Sequence, residues 1–251
     1  MLPIIALKQE IKKIIDFIKK TLQREKFNKV VIGLSGGVDS TVCYYLLRRV
    51  LPEKSILAVR MNYNNKTDYI DKIIKTTCRI NIKNSVDKLK KLLQIDTEKE
   101  VSDRVRLGNL MARTRMVILF DLAKKNQALV CGTENKSEHL LGYFTRYGDQ
   151  SSDIEPIVHL YKTQVFALAH YLKIPEQIIK QTPTAGLWPG QTDEGEFGFT
   201  YKEADPVLYL HFDQKKSLDW IKKQGFKNAE RVIRFAQKNA YKSLVPYGLL
   251  R

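Results

Sequence analysis

The sequence predicts an α/β fold: a doubly wound parallel sheet with additional C-terminal helices. Three observations predict it. Short β-rich apolar runs occupy 29–34, 55–60, 78–82 and 127–133. Stretches with apolar residues at helical spacing separate them, and strands alternating with helices imply crossover connections and parallel neighbours. The glycine-rich LSGGVDS (34–40) and GTENKSE (132–138) each follow a strand directly, and ligands of such sheets bind beyond the carboxyl ends of the strands.

The elements follow in order. Ile4, Leu7, Ile11, Ile14, Ile15, Ile18 and Leu22, with lysines between them, predict an N-terminal amphipathic helix. KVVIGL (29–34) is the first strand. TVCYYLLRRVL (41–51) is helical and stops at Pro52. SILAVR (55–60) is the second strand, 67–77 a helix, CRINI (78–82) the third strand and 85–93 a helix. A long helix covers 103–125, QALVCGT (127–133) is the fourth strand, and a helix over 163–174 halts at Pro175. Two or three more helices fall near 203–211, 217–223 and 226–241. The intervening segment 182–200, TPTAGLWPGQTDEGEFGFT, is rich in Gly, Pro and Thr. It is too long for a plain connection and is expected to be a functional loop or lid. There are no internal repeats or low-complexity tracts.

The 251 residues suit one large domain or a domain with appendages, and 43% hydrophobic content excludes a disordered chain. Lys+Arg 43 against Asp+Glu 27 gives +16, which suits an anionic partner: nucleic acid, a membrane surface or a polyphosphate substrate. A surface merely coated with lysines is the plainer alternative. Cys43, Cys78 and Cys131 form no C-x-x-C pair, which argues against a disulfide framework and for a reducing compartment. The four histidines lack metal-ligand spacing, so no zinc site is expected. The N-terminal stretch has no signal-peptide pattern and no stretch is apolar enough to span a bilayer, so a cytoplasmic location is expected.

LSGGVDS lacks the lysine of the P-loop pattern, yet its geometry suits an anion. Gly36 and Gly37 permit close backbone approach, and the N–H groups of the turn and the following helix point outward. Ser35 and Ser40 add hydroxyl donors. Asp39 would repel a bare phosphate, so it makes sense as a ligand for a Mg²⁺ riding on the phosphate. The alternative is that Asp39 or Ser40 caps the helix. Asn109 and Arg113 lie four apart on one helix face, whereas Arg115 is roughly 200° from Arg113 and serves another patch.

SGGVDS resembles the pyrophosphate-binding loop of the ATP pyrophosphatases, a superfamily that includes GMP synthetase, argininosuccinate synthetase, tRNA-thiolating enzymes and NAD synthetase. NLMARTRM (109–116), GTENKSE (132–138), GYFTRYGD (142–149), LYKTQV (160–165) and PTAGLWPGQTDE (183–194) occur in the order and spacing of NAD synthetase, from the first strand to the C-terminus. The resemblance implies a Rossmann-like, adenine nucleotide α-hydrolase-like fold and a two-step reaction. The nicotinate carboxylate of deamido-NAD attacks the α-phosphorus of ATP and expels pyrophosphate. Ammonia then attacks the acyl-adenylate, giving NAD and AMP.

It also implies the site. Gly33, Leu34, Ser35, Gly36, Gly37, Val38, Asp39 and Ser40 hold ATP, with Arg115 near the nucleotide, Thr133 at a strand end reading the adenosine half, and Thr184 reaching in from the 182–200 loop. Asp39 and Glu138 hold Mg²⁺, two carboxylates completed by phosphate oxygens. Lys162 stabilises negative charge on ATP and the adenylate. Asn109, Arg113, Arg146, Asp153, Tyr241 and Lys242 meet deamido-NAD. Asp149, and Asp153 with it, lies near the nicotinate and the ammonia pocket, where a carboxylate can help ammonium shed its proton. The plain alternatives are surface arginines and lysines, a helix-end acid at Glu138 and loop-capping acids at Asp149 and Asp153.

Three positions depart from the pattern. Arg146 stands where lysine is usual, Gln150 replaces a glycine, and Tyr241–Lys242 replaces a His–Lys pair, which leaves the Tyr241 contact open. By resemblance the protein is a homodimer. Residues 1–251 are expected to form one synthetase domain without a glutaminase domain, and neither nucleic acid nor membrane is expected as a partner. Two rivals remain. The positive charge would suit a tRNA-modifying ATP pyrophosphatase, but thiolating members rely on reactive cysteines, and Cys43 and Cys131 lie in buried-type runs. A nucleotide sensor that has lost catalysis would not need Asp39, Glu138, Lys162 and Asp149 intact.

Overall fold

The computed structural model describes residues 2–63, 70–188, 190–244, 246, 247 and 249. Helix α1 (Leu7–Arg24) buries Ile11, Ile14, Ile18 and Leu22 on one face and turns its lysines outward. Strand β1 (Val30–Gly33) leads through the glycine loop into α2 (Val38–Leu47). Next come β2 (Ile56–Asn62), a short α3 (Ile70–Ile73), β3 (Cys78–Asn81), α4 (Lys83–Leu92) and the long α5 (Val101–Asn126). Strand β4 (Leu129–Cys131) and α6 (Lys136–Leu141) follow, then α7 (Lys162–Tyr171) and α8 (Glu176–Ile179). The chain ends with α9 (Asp193–Phe197), α10 (Tyr201–Leu208), α11 (Leu218–Lys223) and α12 (Ala229–Asn239).

All strand pairs are parallel, in the order β3-β2-β1-β4. The chain winds outward from β1 through β2 to β3, then returns to place β4 on the other side of β1. The switch point therefore lies between β1 and β4, where such sheets bind ligands. LSGGVDS and GTENKSE leave these two strands, so the topology sets them side by side.

The pleat divides the core. Val30, Ile32, Ile56, Ala58, Leu129 and Cys131 face a layer containing α1, α2 and α7. Val31, Val59 and Val130 face the opposite layer, with Val86 of α4 and Leu107, Met111 and Ala123 of α5. A third cluster, with Phe197, Tyr201, Val207, Ile221 and Val232, joins α9–α12 to α6. The doubly wound sheet with its C-terminal helical unit is the predicted architecture.

Several local expectations change. Of the helix expected over 67–77, residues 67–69 lie outside the described residues, and the helix ends at Ile73. The helix expected at 203–211 starts at Tyr201, contains Pro206 and passes into a π-helical turn over Tyr209–Asp213. The 182–200 segment, of which Pro189 lies outside the described residues, carries the short helix α9, because Thr192 caps it by accepting from Gly195 N at 3.1 Å.

Candidate functional site

The glycine loop is built to leave a helix end open. Gly36 has φ +95°, a conformation that side-chain-bearing residues rarely adopt. Gly37 is the N-cap of α2 and brings no side chain to that end. Ser35 Oγ accepts from Gly37 N at 3.1 Å and lies 3.0 Å from Ser40 Oγ; Thr41 Oγ1 donates to Gly37 O at 2.9 Å. These bonds brace the turn from within. The first-turn N–H groups of α2 need acceptors from outside the helix, which suits an anion. Buried Arg60 on β2 donates to Leu34 O at 2.8 Å and anchors the loop's start. A charged residue inside the apolar run SILAVR was the only sequence signal for this anchor.

Asp39, in the first turn of α2, reaches toward α6 and α7. Its Oδ1 accepts from Asn135 Nδ2 at 3.0 Å, and its Oδ2 takes Lys162 Nζ at 2.6 Å. Glu138 Oε1 lies 3.1 Å from the same ammonium. Asn135 and Glu138 form a capping box on α6: the Asn135 side chain accepts from Glu138 N, and Glu138 accepts from Asn135 N. Glu138 thus caps a helix and faces the centre at once. Lys162 begins α7, and its backbone N–H donates to Ser137 Oγ at 2.8 Å. Two strand ends and one helix start therefore bring two carboxylates and one ammonium to a point.

The electrostatics match that crowding. Burial pushes the Glu138 carboxyl up to about 8; Lys162 opposes the rise and Asp39 adds to it. Burial works to lower Lys162, but Asp39 and Glu138 outweigh it and hold the ammonium above its ordinary value. A further carboxylate, Asp193 of α9, interacts with Lys162 and Asp39, and its Oδ2 accepts from Tyr201 at 3.0 Å. The Lys162 ammonium lies 5.2 Å from the Tyr201 ring centroid. Sequence reasoning missed Asn135, Asp193 and Tyr201, whose roles depend on contacts across the chain.

A second group gathers around 142–149. Asn109 accepts from Thr145 Oγ1 at 2.8 Å, and Arg113 Nε donates to Arg146 O at 3.2 Å. Thr145 N donates to Asp149 Oδ1 at 2.8 Å. Lys242 Nζ donates to Gly142 O and Phe144 O at 2.8 and 3.1 Å. Gly142 permits this approach: its φ is +63°, and a Cβ there would lie 2.5 Å from Asn239 Cβ. The Arg146 guanidinium is 5.8 Å from the Tyr241 ring centroid. Asn109, Arg113, Arg146, Asp149, Tyr241 and Lys242 thus share one neighbourhood. Asp149 is open to solvent yet flanked by enough protein that desolvation raises its carboxyl. Arg115 leaves the helix at a different angle from Arg113: its Nε donates to Met61 O near the end of β2, and its charge still interacts with Asp149.

Asp153 and Thr184 bond within their own surroundings, and Thr133 stands at the strand end as expected. Asp153 Oδ2 accepts from Val130 N at 2.7 Å, so one oxygen secures the edge of β4. Thr184 is exposed, and its hydroxyl accepts from Gly186 N at 3.0 Å within its own turn. Thr133 follows β4, half-buried.

A parallel sheet with a glycine loop and an acid–lysine centre at its switch point defines a nucleotide-binding α/β enzyme of the adenine nucleotide α-hydrolase-like class. The NAD synthase family profile matches residues 10–246. The chain is 41% identical to the NH(3)-dependent NAD(+) synthetase of Thermoplasma acidophilum over 96% of its length and 97% of the relative's. It is 39% identical to that of Fusobacterium nucleatum, covering 96% and 95%. Among solved structures, an NMN synthetase from Francisella tularensis superposes with a TM-score of 0.81 at 30% identity, covering 98% of this chain and 99% of the other. The chain belongs to the NAD synthase family.

Proposed function

We propose that the chain is a ligase that amidates deamido-NAD with ammonia at the expense of ATP, giving NAD, AMP and pyrophosphate. The observation that carries the reading is the convergence of Asp39, Glu138 and Lys162 beside an open helix end at the switch point. The NAD synthetase names of the relatives at 36–41% identity supply the substrate.

The open end of α2, with Ser35 and Ser40, takes the triphosphate, and Lys162 balances the charge that develops as the nicotinate carboxylate bonds to the α-phosphorus and pyrophosphate leaves. Asn109, Arg113, Arg146 and Lys242 hold the anionic dinucleotide, with Tyr241 beside them, and Asp153 lies at their edge. Thr133 and Arg115 serve the adenosine half, and Thr184 comes from the segment over the site. In the second step ammonia bonds to the acyl carbon and AMP departs. Asp149, its carboxyl raised by desolvation, is suited to take the proton that the nitrogen sheds.

The residues present fit a magnesium ion. Two carboxylate oxygens point at one position held by a cation. No three His, Cys, Asp or Glu side chains among the described residues are placed to hold a metal ion by themselves, so phosphate oxygens and water would complete the shell. Magnesium bound by Asp39 and Glu138 would neutralise triphosphate charge. A homodimer belongs to the same proposal, and exposed Val105 and Val117 on α5 are apolar surface for a second copy.

The likeness to an NMN synthetase favours one alternative, nicotinate mononucleotide as the acceptor, with the same carboxylate chemistry. Competition between the two nucleotides decides. The purified chain with ATP, Mg²⁺ and ammonium is expected to convert deamido-NAD in preference to the mononucleotide, with stoichiometric AMP. A reversed preference would move the substrate, and no AMP from either would end the ligase reading. RNA retained at high salt would favour the tRNA-modifying reading, and nucleotide binding without turnover the sensor.

A further inference from the structure

We propose that Asp193 is a positioning residue: it receives the Lys162 ammonium when a divalent cation takes that ammonium's seat between Asp39 and Glu138, and so ties cation binding to the seating of the 182–200 segment. This rests on the magnesium reading above. The Lys162 side chain is 3% exposed, and its Nζ lies 2.6 Å from Asp39 Oδ2 and 3.1 Å from Glu138 Oε1. A lysine ammonium and a divalent cation cannot share that position, because like charges repel at such separations. A cation that binds both carboxylates therefore displaces the ammonium. A displaced ammonium this deep requires a new acceptor nearby.

Asp193 is a buried acceptor next to the centre: Tyr201, whose ring centroid lies 5.2 Å from the ammonium, donates from its hydroxyl to Asp193 Oδ2. Asp193 is 3% exposed. Its Oδ2 accepts from the Tyr201 hydroxyl, and the Tyr143 hydroxyl is the other donor beside the carboxylate, at longer range than an ordinary hydrogen bond. A carboxylate this buried with one short hydrogen bond has room for a further donor, and an ammonium would be a stronger one than a hydroxyl. Asp193 interacts with Lys162 and Asp39, and Glu138 interacts with Asp193, so its charge faces the centre. Three acidic side chains therefore crowd one ammonium. The Tyr143 hydroxyl interacts with Asp193 and with Glu196, and with Tyr201 it completes Asp193's polar surroundings.

The placement explains the coupling. Asp193 opens α9, and its backbone N–H donates to Pro183 O at 3.0 Å, drawing the 182–200 segment into a closed loop. Tyr201, which holds Oδ2, is also the ring nearest the ammonium. A new bond from Lys162 to Oδ1 would fasten that loop to α7. The cation thereby acts on the segment without touching it.

The test uses the full chain with Mn²⁺ as probe. Binding is followed by the Mn²⁺ paramagnetic resonance signal, without nucleotide and with α,β-methylene-ATP, alongside hydrogen exchange of peptides spanning 190–200. Lys162→Gln, which removes the competing ammonium, is expected to bind Mn²⁺ about tenfold more tightly than wild type without nucleotide. In wild type, Mn²⁺ should raise protection across 190–200. In Asp193→Asn, Mn²⁺ should still bind but leave that protection unchanged. Tyr143→Phe, which removes Asp193's other neighbour, should keep the Mn²⁺-linked protection. An unchanged or weaker Mn²⁺ affinity in Lys162→Gln would overturn the exchange of cations, and this result stands even if Asp193→Asn does not fold. Equal Mn²⁺-linked protection in Asp193→Asn and wild type would overturn the role of Asp193. Wild type that binds no Mn²⁺ with the nucleotide analogue would overturn the magnesium reading beneath both.

Discussion

Asp39 and Glu138 each hold two partners, and the two differ in kind. Asp39 joins Lys162 to the Asn135 amide, whereas Glu138 joins Lys162 to the backbone of its own helix cap. Asp39→Asn and Glu138→Gln are each expected to lower pyrophosphate release at saturating substrates by about 10²–10³, the size seen when one charge-stabilising group is removed. Near-wild-type release from both variants would remove the metal assignment. Glu155 supplies a pH-dependent prediction. Its Oε1 accepts from Ser152 at 2.6 Å, and burial pushes its carboxyl up to about 7 from 4.5, against the lowering effect of Ser152 and the Glu134 backbone. Between those values the folded chain holds a proton that the unfolded chain has released, so this residue's contribution to stability falls as pH rises from 4.5 to 7. Glu155→Gln should gain on wild type across that window, by about 3 kcal/mol in all, and run parallel above it. Denaturant melts at pH 5, 6, 7 and 8 measure this. A difference independent of pH would show that Glu155 is not protonated in the fold.

At the scale of elements, the strands and the site loops were legible because they rest on local chemistry. β-branched runs gave four strands, and glycines with serines gave the loop after β1. Helix ends were less legible. Gln127 ends α5 with φ +51°, a left-handed conformation that glutamine does not advertise. Pro206 hid the continuation of α10 into its π turn. Arg60, Asn135, Asp193 and Asp205 were illegible as functional residues because their partners lie far away in sequence. Asp205 shows how such a residue works. It is fully buried, and it accepts from Ser137 Oγ at 2.6 Å and from Thr163 N and Oγ1 at 2.8 and 2.7 Å. It thus binds α10 to α6 and to the start of α7, beside Lys162. Asp205→Ala is expected to cost about 3 kcal/mol by leaving three donors without their acceptor, and to weaken turnover by loosening Lys162. Denaturant unfolding reads the first effect, and a loss under 1 kcal/mol would refute it. The 182–200 segment is held on α5 where Leu187 packs on Gly108, since a Cβ at 108 would lie 2.5 Å from Leu187 Cδ1. We expect this segment to gain hydrogen-exchange protection with ATP and deamido-NAD, and Gly108→Val to reduce that gain. Equal exchange in free and bound wild type would count against a lid.

The whole molecule presents a +16 chain to two anionic nucleotides and leaves its thiols out of the chemistry. That combination decides the nitrogen source available to this chain by itself. Releasing ammonia from glutamine requires an activated nucleophile, a base that orients it and a hole for the oxyanion. Cys43 and Cys131 are buried in the core beside β1 and β4, and burial pushes the Cys43 thiol far up, away from the thiolate such a step needs. Cys78 is half-buried at the start of the edge strand β3. The chain alone is therefore expected to make NAD from ammonium and not from glutamine. Since ammonia and not ammonium is the nucleophile, the rate at fixed total ammonium should rise with pH as the neutral fraction grows. Asp149, with its raised carboxyl, bears on the proton released after attack, so Asp149→Asn should lower kcat more than it raises KM for deamido-NAD. Initial rates with ammonium and with glutamine, at several pH values and with total ammonium held constant, test each part. Comparable rates from the two nitrogen donors would require a nucleophile that these three cysteines do not offer, and a pH-independent rate with ammonium would mean that free ammonia is not what the site receives.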